Sequence, residues 1–208
     1  MKILRFTIPL FLLTSVMWAQ GIAPPIAEYR GNKVDGMFEI QNGADYPMAV
    51  LIETKSFDVD GHGQVHYRPL DKDVHLSLGA SSFIIRPHDS HMVFYKASVP
   101  AAPNSFSIIA TMTRAAAVPG MRINFVLPHM IYVYQKEKLV RTDIRLQLAD
   151  GVLHIENTSQ KLGRVASVQA PKQGTGGFPL YPGETREIAI AGDRATVNFE
   201  DGFKIELK

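Results

Sequence analysis

Apolar residues alternate with polar ones at every second position through most of this chain, and Gly, Pro and Asn interrupt the pattern at short intervals. Phe38 and Ile40 share one side of their run. Val93 and Tyr95 oppose Met92 and Phe94, and Phe106, Ile108, Ala110 and Met112 line one side of the next. Successive side chains of a strand point to opposite faces, so such runs describe ribbons with one buried face. No stretch long enough to form a helix carries a helical period. Short strands at roughly ten-residue spacing, separated by turn formers, predict an all-β chain built as a β-sandwich.

The longest extended stretch is 121–134. Met121, Ile123, Phe125 and Leu127 alternate with Arg122, Asn124 and Val126; after Pro128 the residues 130–134 are apolar on both faces. Proline cannot donate to a sheet ladder, so Pro128 predicts an edge strand or a bulge that shifts the alternation. A long apolar edge is an aggregation hazard. Such a strand is either hidden inside the fold or used to bind another chain.

The first residues do not belong to either alternative. Lys2 and Arg5 precede an almost wholly apolar run to Trp18, and small residues follow at Ala19 and Gly21. This is the layout of a secretory signal peptide over 1–21, and the run is shorter than the roughly 20 residues a bilayer span needs. Removing it takes away both cations and lowers the formal charge from +2 to zero. A neutral surface gives no footprint for nucleic acid, and no later segment is apolar enough for the mature chain to enter a membrane. With no cysteine in an exported chain, each domain depends on its own core.

About seven strands between Tyr29 and Tyr134 make one immunoglobulin-like sandwich, the number that fold needs. A charged break over 136–142 reads as a linker, and alternation then restarts at Ile144, Leu146 and Leu148, with Asp150-Gly151 as a hairpin turn. The expected organisation is an N-terminal domain at 22–135 and a smaller C-terminal sandwich at 143–208. The halves echo each other: Phe38, Ile40 and Asn42 match Leu153, Ile155 and Asn157, and the segment 83–90 matches 178–185 in order and in its proline turn.

Chemistry is sparse. His62 and His66 lie near Asp58 and Asp60, and His88 and His91 flank Asp89, but neither group has the spacing of a zinc or calcium site. No nucleophile elbow or phosphate-binding loop is present; 172–177 lacks the required ending and reads as a flexible loop. Glu200 and Asp201 are turn residues. The sequence predicts no enzyme and no cofactor.

Phe38, Ile40 and Asn42 before the Pro47 turn, the element from Phe83 to Pro87, the strand ending in Ile131, Tyr132, Val133 and Tyr134, and the run from Leu153 to Thr158 together carry a family pattern. With the leader and two sandwiches, the chain resembles the periplasmic pilus-assembly chaperones of chaperone–usher systems. The resemblance implies a periplasmic protein whose long strand fills the groove of an incomplete pilin-like secreted subunit by donor-strand complementation. Met121, Ile123, Phe125 and Leu127 are then the donated side chains. An outer-membrane usher is the further partner implied. That family holds the subunit's terminal carboxylate with an arginine and a lysine; Arg30 matches the first, and where the lysine is expected only His129 stands. The alternative is a structural or adhesive immunoglobulin-like module whose long strand is internal.

Overall fold

The computed structural model describes residues 19–99, 102–116, 123–171 and 173–207. Met121 and nearly all of the expected leader lie outside them. Ten strands build the first unit: β1 (Gly21–Ala23), β2 (Ile26–Arg30), β3 (Lys33–Gln41), β4 (Met48–Val59), β5 (Val65–Pro69), β6 (His75–Leu78), β7 (Ser82–Ile85), β8 (Ser90–Ser98), β9 (Asn104–Arg114) and β10 (Phe125–Tyr134). One sheet has the order β1-β3-β8-β6. The other runs β2-β10-β9-β4-β5, with β7 also paired to β4.

The alternation seen in the sequence is what packs the two sheets together. Phe38, Ile40, Val93 and Tyr95 face inward from the first sheet, and Phe106, Ile108, Ala110, Met112, Ile131 and Val133 face them from the second. Met92 and Phe94 lie on the outer face. Burying a large apolar side chain contributes about 1.5–3 kcal/mol, so these positions hold the sandwich.

The second unit has eight strands: β11 (Ile144–Ala149), β12 (Val152–Asn157), β13 (Gly163–Ala170), β14 (Gln173–Thr175), β15 (Phe178–Leu180), β16 (Thr185–Ala189), β17 (Ala195–Phe199) and β18 (Lys204–Leu207). Its sheets run β11-β12-β16 and β14-β13-β17-β18, with β15 also on β13. Asp150 and Gly151 have φ of 51° and 75° at the β11–β12 turn, the positive values that a tight hairpin with matching twist needs. The segment expected as a flexible loop contributes β14, paired to β13.

One sequence feature is corrected. Pro128 makes no bulge: β10 pairs with β9 in unbroken register from Phe125↔Met112 to Val133↔Asn104. The segment between Tyr134 and Ile144 packs against both units. Leu139 is buried in the second core, and a Cβ on Gly163 would fall 1.7 Å from its Cδ1. The Gln135 side chain pairs with the backbone of Leu162 in both directions, donating from Nε2 at 3.0 Å and accepting at Oε1 at 3.0 Å. Phe57, Tyr132, Tyr134 and Leu162 form a small apolar cluster where the two sandwiches meet, with Tyr181 against it.

The echo between the halves is repeated in their hydrogen bonds. Asn42 and Asn157 are both fully buried at the end of their strands. Asn42 Nδ2 donates to Tyr46 O, Ile85 O and Arg86 O, while its Oδ1 accepts from Ala44 N. Asn157 Nδ2 donates to Lys161 O and Leu180 O, and its Oδ1 accepts from Ser159 N. Each amide closes the turn after its strand and ties it to the same later segment. Asn42→Ala takes this partner from the buried Ile85 carbonyl and from three part-buried backbone groups, and is expected to destabilise the protein by roughly 2–4 kcal/mol. Urea denaturation measures this, and Asn157→Ala should behave alike.

Candidate functional site

The two ladder edges of β10 differ in cover. Toward β9 the strand is paired along nearly its whole length. On the other side β2 pairs in parallel with only Met130 to Tyr134, in the register Met130↔Ile26 to Tyr134↔Arg30. From Phe125 to His129 no strand is hydrogen-bonded to that edge among the described residues. The reason is the N-terminal arm: β1 belongs to the opposite sheet, paired to β3, and the chain crosses between sheets at Pro24 and Pro25. Proline supplies no N–H, so this crossover needs no ladder partner of its own.

His129 pins the crossover. Its Nδ1 lies 2.7 Å from Pro24 O and its Nε2 2.8 Å from Tyr95 Oη, which is 2.9 Å from Tyr29 Oη. A carbonyl only accepts, so Nδ1 carries the proton, Tyr95 donates to Nε2 and Tyr29 donates to Tyr95. Phe38 stacks on the imidazole at 4.7 Å. Gly36 makes room for the chain of hydroxyls: a Cβ there would lie 2.0 Å from Tyr29 Oη and 2.6 Å from Tyr95 Oη. Burial lowers the His129 pKa and raises that of Tyr95. His129 is thus a fully buried internal fastener. It does not stand at the surface beside a client, as the resemblance had implied, because both ring nitrogens are occupied inside the fold.

The predicted donor residues divide by position. Ile123 precedes the strand and is 61% exposed; Val126 on the opposite face is 60% exposed. Phe125 and Leu127 are half-buried at the rim of the first core, between the two sheets. The stretch therefore offers apolar side chains on both faces beside an unpaired backbone edge. Sequence reasoning singled out the odd-numbered residues but passed over Val126.

Arg30 is committed within the chain. Its Nη2 is 2.8 Å from Asp201 Oδ1, and its guanidinium lies 5.3 Å from the centre of the Tyr134 ring. The Asp201 side chain is only 5% exposed, and its other oxygen accepts from Leu139 N at 3.0 Å. Turning Arg30 toward an external carboxylate would leave this buried charge unpaired, which is strongly unfavourable. A second cation at the junction, Arg164, is held by Glu28 and by Glu200, the latter at 2.8 Å. Tyr134 Oη donates to Glu28 at 3.0 Å, and burial followed by the Glu28 charge raises its pKa. Asp201, a turn residue in the sequence, thus binds the second sandwich to the first, while Glu200 steadies Arg164, which reaches across to Glu28.

The histidine–aspartate groups remain local. Asp60 Oδ1 accepts from His62 N and Gln64 N, and Oδ2 faces His66 at 3.0 Å. The His66 hydrogen bond, then that from Gln64, hold the Asp60 carboxyl down at about 2. Among the described residues no group of three or more potential metal ligands converges, and no helix is long and apolar enough to cross a membrane.

His129 has a consequence for stability. Its folded-state pKa lies below the ordinary 6.5, so the unfolded chain binds the proton more readily. The contribution is present above that value and is lost as the pH falls below it. His129→Gln keeps one donor and one acceptor without titrating. The wild type is expected to lose stability relative to H129Q between about pH 7 and pH 5, as thermal melts across that range would reveal. Gly36→Ala should cost roughly 1–3 kcal/mol by overpacking the same chain.

No protein-family model matches the sequence, and no curated protein matches it. Solved structures do resemble its fold. The complex of the SafB chaperone with SafA pilin from Salmonella enterica gives a TM-score of 0.63 at 11% identity, over 93% of this chain and 96% of that one. The E. coli chaperone DraB gives 0.59 at 14% identity, over 91% and 96%. The CsuC–CsuE chaperone–tip adhesion subunit pre-assembly complex of Acinetobacter baumannii gives 0.56 at 16%, over 90% and 97%. At these identities the likeness is one of fold, and the chain has the two-domain, immunoglobulin-like β-sandwich fold of the chaperone–usher pilus chaperones.

Proposed function

We propose that this protein is a divergent, non-enzymatic periplasmic chaperone that binds a pilin-type secreted subunit by adding β10 to the subunit's incomplete sheet, for delivery to an outer-membrane usher. The observation that carries this reading is the edge of β10 before Met130, which has no ladder partner among the described residues and is bordered by Ile123, Phe125, Val126 and Leu127. An exposed ladder edge beside apolar side chains is the surface that strand addition uses: the backbone supplies affinity and alternate side chains supply selectivity. SafB is in complex with a pilin and CsuC with a tip adhesion subunit, which supports a client of that class. Arg30 and His129 drop out of the proposed client site, since one is ion-paired and the other buried. Recognition then rests on main-chain pairing and apolar contact.

The competing reading, an adhesive or structural module, draws on Phe125 and Leu127, which pack against their own core. Two substitutions separate the readings. Ile123→Asp places a charge on an exposed side chain, and Val126→Pro removes an N–H from the open edge without touching the ladder to β9. Both are expected to keep the melting temperature within a few degrees, consistent with surface changes of about 0.5 kcal/mol. Both should abolish co-purification of a secreted subunit from periplasmic extracts of the native host. Retention of the subunit by both variants would reject donation of β10.

A further inference from the structure

The open edge of β10 is uneven along its length. Backbone groups alternate in direction along a strand, and the Met130 N–H points to Pro25 O, away from β9. The register is unbroken, so two residues earlier Pro128 turns its nitrogen to that same side, and Val126 does so two residues before that. The β9 ladder loses nothing to the proline, because the groups aimed at β9 there belong to Leu127 and His129. The open edge loses a donor. Val126 presents both an N–H and a C=O outward, whereas Pro128 presents only a carbonyl. Beyond it, Met130 is already bonded to the arm.

We infer that Pro128 is a stop on this edge, limiting an added strand to the residues before it and keeping a second copy of the chain from pairing edge to edge. Two copies meeting antiparallel about Val126 would place Pro128 opposite Asn124 of the other molecule, whose carbonyl would find no donor. Sliding the register moves the vacancy to another residue without filling it. The same loss would occur on both sides of a symmetric pair. A subunit strand added from one side can instead end at Pro128 and leave its next carbonyl in water. The device matters because Ile123 and Val126 are well exposed next to the edge, a combination that otherwise invites self-association.

This inference rests on the open edge and not on the identity of a client, and its test needs the purified protein alone. Sedimentation velocity over a concentration series would compare the wild type with Pro128→Val, Pro128→Ala and the Val126→Pro/Pro128→Val double variant. P128V should self-associate with a dissociation constant at least about tenfold below that of the wild type, the scale of one hydrogen bond restored to a buried carbonyl. The double variant should return to wild-type behaviour. P128A repeats the test if the valine variant does not fold. Identical association of the wild type and the Pro128 variants overturns the inference, as does association that survives the Val126→Pro change. Failure of the wild type to capture a subunit would count against the proposed function only, since no client enters this measurement.

Discussion

The hydrogen bond from His129 Nδ1 to Pro24 O decides what the first sandwich exposes. It fastens the arm where the chain leaves one sheet for the other, so β2 begins its ladder only at Met130, and among the described residues no strand is hydrogen-bonded to that side of β10 before it. The bond depends in turn on Tyr95 and Tyr29 and on the absence of a side chain at Gly36. A polar chain of this kind is stabilising only when every member is satisfied, because an orphaned group in the core loses its water without gaining a partner. Here each donor has its acceptor, and the imidazole is held neutral. The interior therefore sets the reach of the edge.

The junction between the sandwiches is equally committed. Gln135 imitates a strand residue for Leu162, Asp201 ties Arg30 to the connecting segment, and Arg164 sits among Glu28, Glu200 and Tyr134. Two carboxylates face Arg164 and one faces Arg30, so the local charge is not that of an anion site. Within this fold, known from pilus chaperones, the junction cations hold the chain's own two halves, and the client site proposed above is an apolar strand edge.

Much of the architecture was legible in the residues. Period-two runs placed Phe38, Ile40, Val93, Tyr95, Ile108 and Met112 in the core, and Asp150-Gly151 marked its hairpin. The paired Asn42 and Asn157 marked the echo between the halves, and the structure shows that each closes the turn after its strand. Reading failed where the outcome depended on a distant partner. Pro128 looked like a bulge, but its nitrogen happens to face the uncovered side, where a missing donor leaves the β9 ladder intact. Nor did the linker run 136–142 reveal that Leu139 fills the gap left by Gly163.

The alternation of apolar residues was sufficient to determine strands, two cores and the β10 stretch as the conspicuous feature, since which face of a strand is buried follows from side-chain direction alone. Which edge of that strand is covered does not follow from it. Edge cover depends on where the arm crosses between sheets, a matter of a buried imidazole, two hydroxyls and a glycine spread over more than 90 residues of sequence (Tyr29 to His129). Only the tertiary structure brings them together. It is there that Arg30 pairs with Asp201, that His129 is buried against Pro24 and Tyr95, and that Pro128 falls just before the β2 ladder.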